Sequence, residues 1–123
     1  MLLENLIIDK QWLLGTFGMV ESERFRRTLG LFRMLSARRE AALLQYEVEF
    51  HAGKLTANPG ARFAELMNDA VRVRFDETDS LRVLEAAFRS ADTLRAFAFE
   101  SQLRDYLKTK YGLRWWASSK AGE

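Results

Sequence analysis

A chain of 123 residues, 48% hydrophobic and 12% aromatic, has enough apolar side chain to fill a core, which excludes an intrinsically disordered segment. Nineteen basic against 17 acidic residues leave a net charge of only +2, with both signs interspersed, which argues against a nucleic-acid binder. Cysteine is absent, which excludes disulfides and thiolate metal sites. No secretory signal and no apolar run of roughly 20 residues is present, so a soluble, cytoplasmic protein with no membrane partner is expected.

A single proline, Pro59, and few glycines predict long helices joined by short loops, with residues 1–123 forming one all-α domain. The expected architecture is an orthogonal or elongated bundle of about four to six helices. Leu3, Leu6, Ile7, Leu13 and Leu14 recur at helical spacing, with Glu4, Asp9 and Lys10 on other faces. That pattern predicts a first helix over 2–14, stopped near Gly15. Thr16 to Val20 reads as a short apolar connector. Ser22 reads as an N-cap, with Glu23 in the first turn where the helix dipole favours negative charge. From there Phe25, Leu29, Phe32, Leu35, Leu43, Tyr46 and Phe50 describe one stripe along a helix running to about His51, with Gly53 as its stop. Such a rod is about 46 Å long, so it bends near Gly30 or spans the domain. Ser36, Arg38 and Arg39 interrupt the stripe. Either the arginines face solvent and pair with Glu40 and neighbouring acids, or they line a polar seam.

Asn58-Pro59 predicts a third helix start, with asparagine as cap and proline where its missing N–H is harmless. Phe63, Leu66, Met67, Ala70 and Val71 give that helix its apolar face. Val71 to Phe75 alternates apolar residues with arginine, but a lone strand has no partner, so a helix end or an extended connector is expected. Asp79 or Ser80 begins the last helical region, whose period is carried by Leu81, Leu84, Phe88, Leu94, Phe97, Leu103, Tyr106 and Leu107. The polar run Arg89 to Thr93 predicts a break between two helices. Gly112 ends the region behind Lys108 and Lys110. Trp115 and Trp116 then precede only residues 117–123, too little chain to bury two indoles. They read as the front of a further helix. With Leu2, Leu3, Leu6, Ile7 and Ile8 they form an apolar surface expected to self-associate as a homodimer.

His51 is the only histidine, and with Glu47 it has the i, i+4 spacing that places two metal ligands on one helix face. A zinc site needs a third protein ligand, which here would have to be another carboxylate, so a helix-end histidine is the expectation. Gly15-Thr16-Phe17-Gly18 lacks the lysine and spacing of a nucleotide loop. The aromatics lie mainly at core spacing, which argues against base stacking. No catalytic, cofactor-binding or metal-binding residue is assigned.

Several stretches, in order, resemble the carboxy-terminal helical region of the thimet oligopeptidase and oligoendopeptidase F family of zinc metallopeptidases. Leu3-Glu4-Asn5 looks like the family's Leu-Glu-Asn, which closely follows its third zinc ligand. Phe25 through Glu49-Phe50-His51 resembles its long helix ending in an apolar residue and histidine. Phe97-Ala98-Phe99-Glu100 through Tyr111-Gly112 is similar to the helix following its substrate-binding tyrosines. The family's His-Glu-x-x-His has no counterpart here and would lie upstream of Met1. Where the tyrosines are expected stand Arg89, Thr93 and Ala96.

The resemblance thus implies a fragment of a larger protein. It would be a helical subdomain forming part of a peptide-binding cleft wall, with no complete active site. Zinc and peptide substrate belong to the full-length parent, a zinc-dependent oligopeptidase. The partner is either the catalytic half of that parent or a second copy of the chain. The alternative is a free-standing helical protein–protein interaction module without catalytic activity.

Overall fold

The computed structural model describes residues 5–55, 58–83 and 88–122. The fold is all-α, and among the described residues there is no strand. In chain order come α1 (Lys10–Phe17), α2 (Glu23–His51), α3 (Pro59–Val71), α4 (Ser80–Val83) and α5 (Arg89–Tyr111). Short 3-10 turns lie at Glu77–Asp79, Trp115–Ala117 and Ser119–Ala121. Among the described residues, no helix is long and apolar enough to cross a membrane. Expectations for Leu2, Leu3, Glu4, Leu84 and the side chain of Leu81 lie outside the described residues.

The amino-terminal periodicity does not make one helix. Asn5 and Leu6 are helical, Ile7 and Ile8 turn, and Asp9 starts α1 afresh. Asp9 Oδ1 accepts from the N–H of Gln11 at 2.9 Å and of Trp12 at 3.1 Å. An aspartate that captures first-turn donors favours a cap over a helix interior, so the run of well-spaced leucines divides there. Gly15 lies inside α1; Gly18, at φ 65°, is the residue that stops it.

α2 runs as the periodicity predicts. At its end the Gly53 N–H donates to the Phe50 carbonyl and the Lys54 N–H to the Glu49 carbonyl, both at 3.0 Å, with Gly53 at φ 67°. This Schellman arrangement satisfies two orphan carbonyls and needs the left-handed conformation that glycine adopts without strain. At the other end the Ser22 carbonyl accepts the Arg26 N–H at 2.9 Å, as the cap position requires. The Ser22 hydroxyl, however, has no hydrogen-bond partner, which corrects the expected side-chain cap. Ser22 is nonetheless buried, 2% exposed.

The chain divides into two compact units, Arg33–Arg95 and the pair of segments Met1–Phe32 with Ala96–Glu123. In the Arg33–Arg95 unit, Asn58 caps α3 by accepting the Ala61 N–H at 3.1 Å. Phe63 and Met67 of α3 pack on Ala42, Leu43 and Tyr46 of α2, with Leu66, Ala70, Phe75 and Val83 around them. The Tyr46 and Phe63 rings meet edge-on at 5.4 Å. Tyr46 hydrogen-bonds Ser80, whose own hydroxyl donates to the Glu77 carbonyl at 2.7 Å. Burial of Leu43, Phe63 and Met67 contributes about 1.5–3 kcal/mol each. The predicted α2 stripe closes a core only partly: Leu43 and Tyr46 are buried, while Phe25, Phe32 and Phe50 stay exposed.

After α3, Arg72 takes the left-handed cap at φ 59° and the segment to Asp76 is an irregular connector, as expected. The last helical region is two helices, as expected, but the polar run Arg89 to Thr93 is not the gap between them: it opens α5. Asp92 sits in the first turn, favourable to the dipole, and the Thr93 hydroxyl donates back to the Arg89 carbonyl at 3.1 Å. Immediately before α5, Phe88 takes the left-handed conformation at φ 54°.

In the other unit, Leu6, Leu107 and Trp115 form the buried centre, with Trp12, Leu103, Tyr111, Trp116 and Ala121 packed against it. Gly112, at φ 81°, ends α5 as predicted. The residues beyond it do not begin a long helix. They fold back in two 3-10 turns, and Trp115 is 7% exposed. Seven residues suffice because Leu6 and Leu107 cover Trp115, the two indoles meet edge-on, and the tail adds only Ala121. Leu6 and Trp115, two residues of the surface expected to self-associate, are therefore spent inside the unit.

Candidate functional site

Glu47 and His51 stand one turn apart on α2, as their spacing requires, but in different surroundings. Glu47 is 3% exposed and its Oε2 has no hydrogen-bond partner. Burial raises its pKa above the ordinary carboxylate value, opposed by the His51 charge and reinforced by Glu40. His51 is exposed, its ring against Phe50 at 5.5 Å and Phe88 at 5.2 Å. Among the described residues no group of three histidine or carboxylate side chains is gathered to hold a metal ion. One imidazole and one buried acid do not fit the three-ligand set zinc needs.

The mid-helix arginines are surface groups. Arg39 pairs with Glu40 at 2.7 Å, and Arg38 donates to the Asp69 carbonyl at 3.2 Å. The more structured ion pair is one the periodicity left unremarked. Arg62 Nε and Nη2 fork onto Glu49 Oε2 and Oε1 at 2.8 and 2.9 Å, tying α3 to α2. Thr93, where the resemblance expects a tyrosine, spends its hydroxyl on helix α5.

Two adjoining hollows lie in the unit that contains the chain ends. The larger, of about 1080 Å³, is open and lined by Ile8, Val20 and the start of α2. Its cations Lys10, Arg24, Arg26 and Arg27 outnumber Glu21 and Glu23, and Glu23 is already paired with Arg27 at 2.8 Å. Ser22, with its unpartnered hydroxyl, lies in this wall. Arg26 is anchored from the side, its Nε donating to the Ile8 carbonyl at 2.6 Å.

The smaller hollow, of about 260 Å³, shares Ile8, Lys10 and Arg26 with the larger one. Arg104 and Lys108 complete its cationic wall, Asn5 adds a neutral amide, and Asp9, whose Oδ1 is engaged in capping α1, is its acid. Asn5 Oδ1 accepts from Arg104 Nη1 at 3.4 Å. Asn5 Nδ2 and Arg104 Nε are buried with no hydrogen-bond partner. The geometry favours negatively charged oxygen.

These residues are not legible as a site in sequence. Asn5 and Arg104 are 99 positions apart, and Arg104 and Lys108 fall within an ordinary charged helix. The one local signal is the basic run Arg24, Arg26 and Arg27 at the start of α2. No protein-family model, curated protein or solved structure matches this chain.

Proposed function

We propose that this chain is a non-catalytic helical module that holds a peptide segment, the carboxy-terminal helical wall of a zinc oligopeptidase-like protein whose chemistry resides in a separate catalytic half. The observation that carries the reading is the larger hollow, which sets apolar Ile8 and Val20 beside four cationic side chains. Its size, about 1080 Å³, is just above the roughly 300–1,000 Å³ of ligand pockets. Apolar wall suits a peptide's side chains, and arginine forks suit its carboxylates. In this role the module binds and orients; it moves no proton and breaks no bond.

Fluorescence anisotropy with short labelled peptides tests the reading. Saturable binding is expected, competed by unlabelled peptide and weakened in Arg24→Ala with Arg27→Ala. Failure of every peptide in a mixed-sequence set to bind saturably would overturn it.

A free-standing interaction module is the second reading, favoured by the exposed Leu31, Phe32 and Met34 of α2. The genomic reading frame separates the two. An in-frame His-Glu-x-x-His upstream of Met1 decides for the peptidase wall, and a natural start at Met1 for the free module.

A further inference from the structure

We infer that the smaller hollow is an oxyanion subsite that takes the carboxylate of a bound peptide, with Asn5 Nδ2 and Arg104 Nε as direct donors. The choice of a peptide carboxylate rests on the peptide-holding reading; the donors themselves do not.

Asn5 is 5% exposed and lines the hollow, yet its Nδ2 has no acceptor. The orientation of its amide follows from Arg104, which can only donate and so claims the Oδ1 end. Arg104 Nε is buried and also without a hydrogen-bond partner; the Asp105 carboxylate is 4.0 Å away. Buried polar groups are nearly always paired, so two unpaired donors at one hollow call for a shared acceptor. Both groups are donors only, which selects an anion over a cation. Lys10, Arg26 and Lys108 add positive charge, against the single carboxylate of Asp9. The volume of about 260 Å³ is several times that of a water molecule, which fills about 30 Å³, and accommodates a carboxylate with its adjoining residue. Because Ile8, Lys10 and Arg26 line both hollows, a chain lying in the larger one ends with its carboxylate in the smaller.

The test follows the Asn5 side-chain amide and Arg104 Nε–H signals of the ¹⁵N-labelled full chain by nuclear magnetic resonance. The titrants are acetate, inorganic phosphate, an acetylated tripeptide with a free carboxylate, and the same tripeptide amidated. The free-acid peptide is expected to move both signals saturably, with the amide weaker by about tenfold or more. Asn5→Asp keeps the acceptor for Arg104 but replaces the free donor with a charge, and is expected to weaken the free-acid peptide by about tenfold or more. Lys108→Gln, which removes one charge from the hollow's lining, is expected to weaken it by about threefold and serves as the test where Asn5→Asp does not fold.

Movement of both signals by acetate with no peptide bound supports the subsite and overturns the peptide-holding reading. Equal binding of acid and amide peptides with both signals unmoved overturns the subsite and leaves that reading standing. Tighter binding of phosphate than of the free-acid peptide overturns the carboxylate assignment. Signals unmoved by every titrant overturn the inference entirely.

Discussion

Replacing Glu49 by glutamine removes the charge from the fork that ties α2 to α3. Hydrogen bonds from Arg62, then from Gln45 at 2.9 Å, hold the Glu49 carboxyl well below its ordinary value of 4.5, at about 2. A carboxyl moved that far carries about 3 kcal/mol of differential stabilisation before solvent screening. The side chains of Arg62 and Glu49 are 32% and 20% exposed, so screening reduces the contribution to about 1 kcal/mol. The depressed folded-state value fixes the sign. The stability is present above the unfolded value of 4.5 and is lost as pH falls from there through about 2. Urea unfolding followed by circular dichroism should place Glu49→Gln about 1 kcal/mol below the parent near pH 7. The two should converge at about pH 2. A difference of the same size at both pH values would show that the fork is not what the carboxylate contributes. No difference near pH 7 would show that the pair is a screened surface contact.

Phe63→Ala should destabilise by about 3–5 kcal/mol in the same assay, because Phe63 is 1% exposed and packed edge-on to Tyr46; a loss under about 1 kcal/mol would contradict the described core. Glu47→Gln should stabilise the protein at neutral pH. The buried Glu47 has its folded pKa raised, so its stability is full below the unfolded value of 4.5 and falls as pH rises through the folded one. A variant that stays parallel to the parent across a pH series from about 4 to 8 would refute this. Gly60→Ala should destabilise despite alanine's helix propensity, because its Cβ would lie 2.8 Å from the Glu77 carbonyl oxygen; an unchanged or raised midpoint would refute the close approach.

What the sequence by itself determined is local. The start of α3 at Asn58-Pro59, the stop of α2 at Gly53 and the end of α5 at Gly112 each depend on neighbouring backbone and one side chain. A proline without an N–H and a glycine at positive φ act the same wherever the helix packs. Periodicity also marked Leu43, Tyr46, Phe63 and Met67 correctly as core. It failed where two local preferences competed. Asp9 divided a leucine-spaced run, and the polar Arg89 to Thr93 proved to open the second of the two expected helices rather than to separate them.

What only the tertiary structure decided is which side chains are covered and which are left without partners. Trp115 is buried because Leu6, near the other end of the chain, meets it together with Leu107. The Ser22 hydroxyl is buried without a partner although its position implies a cap. Asn5 and Arg104 form one hollow only because the chain ends share a compact unit. Spacing along a helix reports which residues share its face, and carries no information on what another segment brings to that face.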